Sequence, residues 1–154
     1  MKAEELMIGD WVNFHLEIFL TDYEGIETVH DEVLEIGKVS ALNSIGNVWV
    51  IDSEGEEHQI TNDEIEPIPL TTEILEKNGF YDRTFGYKGH YVIHTNEYQL
   101  GYYPKTNRFG VYKKGIDPFY DKDKFCCGFK NIVKYVHELQ HALKLCGIKN
   151  EIIL

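Results

Sequence analysis

Positive charge is almost missing from the first 70 residues. Lys2 and Lys38 stand there against 17 acidic residues, a balance of −15, whereas residues 71–154 hold 13 basic and nine acidic residues, a balance of +4. The net charge of −11 over 154 residues is therefore the average of two unlike halves. Acid concentrated this way repels phosphate and disfavours nucleic acid as a partner of the N-terminal half. Cysteine is scarce, and Cys126, Cys127 and Cys146 make an odd set with no C-x-x-C spacing. That excludes a disulfide framework and a zinc-finger pattern. No apolar run approaches the roughly 20 residues of a membrane helix. The opening Met1-Lys2-Ala3-Glu4-Glu5 has no apolar stretch of the secretory kind. These absences lead us to expect a soluble, cytoplasmic protein with no membrane partner. Also missing are a phosphate-binding lysine loop, a G-x-S-x-G elbow and a G-x-G-x-x-G turn.

What is present is a β pattern followed by a mixed one. Val12, Phe14, Leu16, Ile18 and Leu20 alternate with Trp11, Asn13, His15, Glu17 and Phe19, the period of a strand with one buried face. Residues 35–42, 48–51 and 58–60 read as further strands, with turns at Asn43–Asn47 and at Asp52-Ser53-Glu54-Gly55. Pro67 and Pro69 close this region, because proline cannot donate to a ladder. Several short strands with Gly-marked turns predict a small, SH3-like antiparallel β-barrel over residues 1–70.

Residues 71–154 predict an α-β-β-β-α unit, which makes the whole chain α+β, with two subdomains or one shared core as the alternatives. Thr71 is placed to cap a short helix that Asn78-Gly79 stops, with Phe80 closing the cap. Strands are expected at 91–94, 98–103 and 108–112. A last helix is expected from Lys130 to Cys146, with Gly147 and Ile148 as its C-terminal cap, and Glu151–Leu154 could add an edge strand.

His137-Glu138-Leu139-Gln140-His141 is H-E-x-x-H. Histidines at i and i+4 share a helix face and can hold one Zn²⁺, while the glutamate activates a bound water. A catalytic zinc usually takes three protein ligands. The positions that supply the third in the extended motif hold Lys144 and Gly147, so it would have to come from upstream, such as His90 or His94. Ile132, Tyr135, Val136, Leu139, Ala142, Leu143 and Cys146 form the apolar stripe of the helix, and this places His137 and His141 on the opposite, solvent side near Lys134 and Lys144. A second cluster, Tyr98, Tyr102, Tyr103, Arg108, Tyr112, Lys113 and Lys114, places aromatics and bases on one meander, where they could stack nucleobases and hold phosphates.

Leu6-Met7-Ile8-Gly9-Asp10-Trp11-Val12, Ile65-Glu66-Pro67-Ile68-Pro69-Leu70-Thr71-x-Glu73-Ile74-Leu75-Glu76-Lys77-Asn78-Gly79-Phe80 and Tyr135-Val136-His137-Glu138-Leu139-Gln140-His141 resemble landmarks of a group of small bacterial proteins. That group occurs in gut anaerobes and their phages or mobile elements. The resemblance implies no particular activity, cofactor or catalytic residue. No complete catalytic set is present, and the leading expectation is a non-enzymatic binding or interaction protein without cofactor. Its expected partner is another protein, of basic character. The alternatives are a zinc-dependent hydrolase using His137, Glu138 and His141, and a nucleotide or single-stranded nucleic-acid binder using the tyrosine meander.

Overall fold

The structure is a computed structural model that describes residues 5–21, 25–43, 46–82, 90–95, 98–113, 125–127, 133–148 and 151–154. Among the described residues the chain is α+β, mostly antiparallel sheet with two helices, and it divides into two compact units, Met1–Ile68 and Pro69–Leu154.

Unit 1 is a five-stranded sheet of β1 (Trp11–Thr21), β2 (Glu27–Leu42), β3 (Val48–Ile51), β4 (Glu57–Ile60) and β5 (Ile65–Pro67), in the order β4-β3-β2-β1-β5. The alternation read from the sequence sets its faces: Val12 and Phe14 are fully buried, as are Val48 and Val50 of β3, and they pack with Leu6, Val39, Ile60 and Ile65. Burying one such side chain contributes about 1.5–3 kcal/mol. The expected barrel does not close among the described residues. β4 and β5 are four and three residues long and remain the two edges of an open sheet. The long strands instead run past the sheet, because β5 pairs only with Val12–Phe14 and β3 only with Lys38–Leu42. His15–Thr21 and Glu27–Leu34 therefore pair with each other alone, as a two-stranded arm. Pro67, the last residue of β5, closes the β region. It pairs opposite Val12 at the end of an edge strand, where a missing N–H costs nothing.

The β3–β4 turn is organised by Asp52. Its carboxylate accepts from the backbone N–H of Glu54 and of Glu56, each at 2.9 Å, and contacts His58 Nε2 at 2.8 Å. These partners, the His58 bond foremost, hold the Asp52 carboxyl below the usual carboxylate range.

Unit 2 contains α1 (Thr72–Lys77), the strands β6 (Tyr81–Asp82), β7 (Tyr91–His94), β8 (Tyr98–Tyr103), β9 (Arg108–Lys113) and β10 (Phe125–Cys127), and α2 (Val136–Leu145). The sheet order is β10-β9-β8-β7-β6, so the three expected strands form the centre and two short ones flank them. Thr71 Oγ1 caps α1 by accepting from Ile74 N. Both helices end in the expected glycine cap: Phe80 N donates to Leu75 O at 3.0 Å, and Ile148 N to Leu143 O at 2.9 Å. The chain end does not join the sheet as a strand. Asn78 holds it instead, donating to Ile153 O at 2.7 Å and accepting from Ile153 N at 2.8 Å, while Ile152 is buried. No helix of the described residues is long and apolar enough to cross a membrane.

Candidate functional site

The H-E-x-x-H segment lies at the start of α2, six residues later than the helix expected from the stripe. The chain before α2 is held extended by a bridge between Pro69 and Tyr135, with Leu70 N donating to Lys134 O at 2.8 Å, and by Glu138. Its carboxylate reaches back to accept from Lys134 N at 2.6 Å and Tyr135 N at 3.0 Å, two donors left without helical partners at an N-terminus. Tyr135 stays extended, and its ring lies parallel to that of His137 with centroids 5.9 Å apart. His137 is therefore buried, 4 % exposed, and not on a solvent face as the helical projection predicts. The projection treats the chain before Val136 as helix and so misplaces the Tyr135 ring. His141 is half-buried, and its ring stands edge-on to His137 with centroids 5.8 Å apart, neighbours as the spacing requires.

Among the described residues the two histidines find no third ligand for a zinc ion, since no three His, Cys, Asp or Glu side chains group so as to hold a metal ion. The upstream histidines are engaged in the sheet: His90 stacks on Tyr103 at 4.2 Å, and His94 stacks on Tyr81 at 5.8 Å. Glu138, the residue that would activate water, spends its carboxylate on the helix start.

The tyrosine meander is divided between the two faces of its sheet. Tyr98 and Tyr102 lie on one face with Leu100, and Tyr103, Arg108 and Tyr112 on the other with Gln99. Tyr102 and Tyr112 are buried, so neither ring offers a surface to a base. The Tyr102 hydroxyl lies 3.0 Å from the Val133 carbonyl and 3.0 Å from Asn107 Oδ1. Burial raises the Tyr102 hydroxyl pKa, helped by the charge of Glu138, and raises that of Tyr112, helped by Tyr103. Arg108 is exposed, Tyr98 and Tyr103 are half-buried, Lys113 ends β9, and Lys114 lies outside the described residues.

Two glycines explain the packing of the second face. Gly101 and Gly110 pair directly across β8 and β9. A Cβ on Gly101 would sit 2.5 Å from His90 Nε2, and one on Gly110 would sit 2.8 Å from the Tyr112 hydroxyl. The glycines therefore leave room for two polar rings to lie against the backbone. Gln99 is buried there, and its Nε2 has no hydrogen-bond partner among the described residues.

Unit 1 is the opposite case. Among the described residues nine of its carboxylates are exposed: Glu5, Glu17, Asp31, Glu32, Glu54, Glu56, Glu57, Asp63 and Glu66. The single described base, Lys38, sits over the Trp11 ring at 4.9 Å. Several large apolar side chains are also exposed in this unit, among them Leu34 and Ile36 of β2 and Ile51 of β3. They are absent from the candidates read from sequence. The available signal was parity, since Leu34 and Ile36 fall in phase with Glu32 and Lys38 and out of phase with the buried Val39.

Comparison of the chain with family models, curated proteins and solved structures finds no match.

Proposed function

We propose that the protein is a non-enzymatic binding protein of the cytoplasm whose acidic N-terminal unit engages a basic protein. The observation that carries this reading is the surface of unit 1, where nine described carboxylates face solvent and the one described lysine is held over a tryptophan. A surface of one sign steers partners of the other and repels nucleic acid and anionic lipid. Unit 2 supports the same reading, because its most enzyme-like glutamate caps a helix and two of its tyrosines are core residues. We also take unit 1 as SH3-like in chain path. A four-stranded meander is followed by a 3-10 turn at Asn62–Glu64 and a fifth strand that returns to β1. An accessory role in a bacterium, phage or mobile element follows from the sequence resemblance alone.

Fluorescence anisotropy with labelled probes tests the reading. A peptide of alternating Lys and Ser and one of alternating Lys and Leu should both bind, more weakly as salt rises, while a single-stranded oligonucleotide should not. Binding of the oligonucleotide but of neither peptide, lost in Tyr103→Ala, would favour the nucleic-acid alternative. Stoichiometric zinc in the purified protein, with hydrolysis lost in His141→Ala, would favour the hydrolase.

A further inference from the structure

We infer that the outer face of the unit 1 sheet is a docking surface for a basic, amphipathic protein segment, with Leu34, Ile36 and Ile51 as its apolar floor. This rests on the reading of unit 1 as the binding unit and names the place and the chemistry. The register puts these side chains on one face, Leu34 and Ile36 two residues apart on β2 and Ile51 on the diagonal from Ile36 beside Lys38. Trp11 pairs with Lys38 and Lys38 with Ile51, Asn13 pairs with Ile36, and His15 with Leu34, so all lie on the face opposite Val12 and Phe14. Strands spaced about 4.8 Å apart bring Ile51 within reach of the Ile36 diagonal, and Leu34 extends the row along β2. Leu34 is 51 % exposed, Ile36 44 % and Ile51 39 %. Grouped apolar exposure with a polar rim marks an interaction surface, unlike scattered single residues.

The rim is acidic, and its carboxylates are held in place. Glu57 pairs with Ile51 and accepts from Ser40 Oγ at 2.7 Å. Glu32 and Glu66 flank His15, at 2.8 Å from Nδ1 and 3.5 Å from Nε2. Each rim carboxylate thus has a neighbour on the same face that fixes it, which lowers the ordering cost of binding a cation. The arm prolongs the face, carrying Glu17 and the exposed Phe19 along the alternation of β1.

Charge selects the occupant. A second copy pairing face to face would bring the same acidic rim, and nucleic acid or anionic lipid would bring more negative charge. A segment with Lys or Arg around apolar residues satisfies both floor and rim.

The test uses the full chain and the labelled Lys/Leu peptide, with Lys/Ser and Glu/Leu peptides as controls, read by anisotropy at low salt. The variants are Leu34→Ser with Ile36→Ser, and Glu32→Gln with Glu66→Gln, each required to melt as the wild type does. The first pair should weaken the Lys/Leu peptide about tenfold or more and leave the Lys/Ser peptide unchanged, and the second should weaken both. Wild-type binding of Lys/Leu that neither variant changes would overturn this site and leave the proposed function standing. Failure of both basic peptides to bind the wild type would overturn both. Equal binding of the Glu/Leu peptide would overturn the charge selection. A wild-type dimer by sedimentation, lost in the Leu34→Ser, Ile36→Ser variant, would give the face to a second copy instead.

Discussion

The two units differ in degree. Among the described residues, unit 1 buries one charged side chain, Asp10, and groups exposed aliphatics on one face, whereas unit 2 buries several polar side chains and exposes Tyr81, Leu145 and Ile153. Unit 1 leaves Leu34, Ile36 and Ile51 in solvent beside exposed carboxylates, whereas unit 2 buries His90, Gln99, His137, Tyr102 and Tyr112. Exposed apolar area gains free energy only when something covers it. Buried polar groups are restricted to the partners the fold supplies. On the proposed reading, Glu138, His137 and the buried tyrosines serve the architecture, and the proposed binding surface is made of ordinary aliphatic and acidic residues.

The largest effect that could break this comparison is a core truncation set against a surface one. Leu139→Ala should destabilise unit 2 by about 2–5 kcal/mol, and Leu34→Ala should change stability by no more than about 0.5 kcal/mol, both read from urea melts. An equal cost at both sites would show that Leu34 packs against protein in the isolated chain. Next is Gly101→Ala, whose methyl group meets the His90 ring. It should cost about 1–3 kcal/mol, and a neutral result would deny the close approach. Glu138→Ala should cost about 1 kcal/mol through the lost helix start, with Glu138→Gln recovering much of it because an acceptor oxygen remains. In a zinc enzyme both variants would instead abolish turnover.

Two pH effects sharpen the contrast further. Tyr102 and Tyr112 have raised pKa values through burial. The folded chain therefore keeps their protons where the unfolded chain releases them, and unit 2 should lose stability as pH rises above about 10. Phenolate absorbance should show part of the tyrosine set ionising only as the protein unfolds. Asp52 is the reverse case on the acidic side. Its lowered pKa contributes stability that is present above the usual carboxylate value and lost as pH falls below about 4. The acid-side slope of thermal unfolding should flatten slightly in Asp52→Asn and in His58→Ala.

Much of the local fold was legible in the sequence. Alternation located β1, glycine located both helix ends, and Thr71 located the start of α1, because each is decided by residues close in the chain. Barrel closure was not legible, since it depends on where long strands stop pairing. The start of α2 was missed because a carboxylate three positions into the helix and a long-range backbone bridge from Pro69 and Leu70 together hold Lys134 and Tyr135 extended. Burial of His137 was missed for the same reason. The split of the tyrosine cluster was implicit in the period of two, since Tyr102 and Tyr103 cannot share a face. The outer floor was hidden by reading the second strand from Glu35, one residue after Leu34.

The most direct test of the central claim is a titration of the ¹⁵N-labelled chain with the Lys/Leu peptide, following every backbone amide. Binding at the outer face predicts shifts concentrated on β2 from Leu34 to Lys38 and at Ile51, with α2 from Val136 to Leu145 unchanged. Shifts concentrated on α2 or on β8 and β9, with β2 silent, would contradict it.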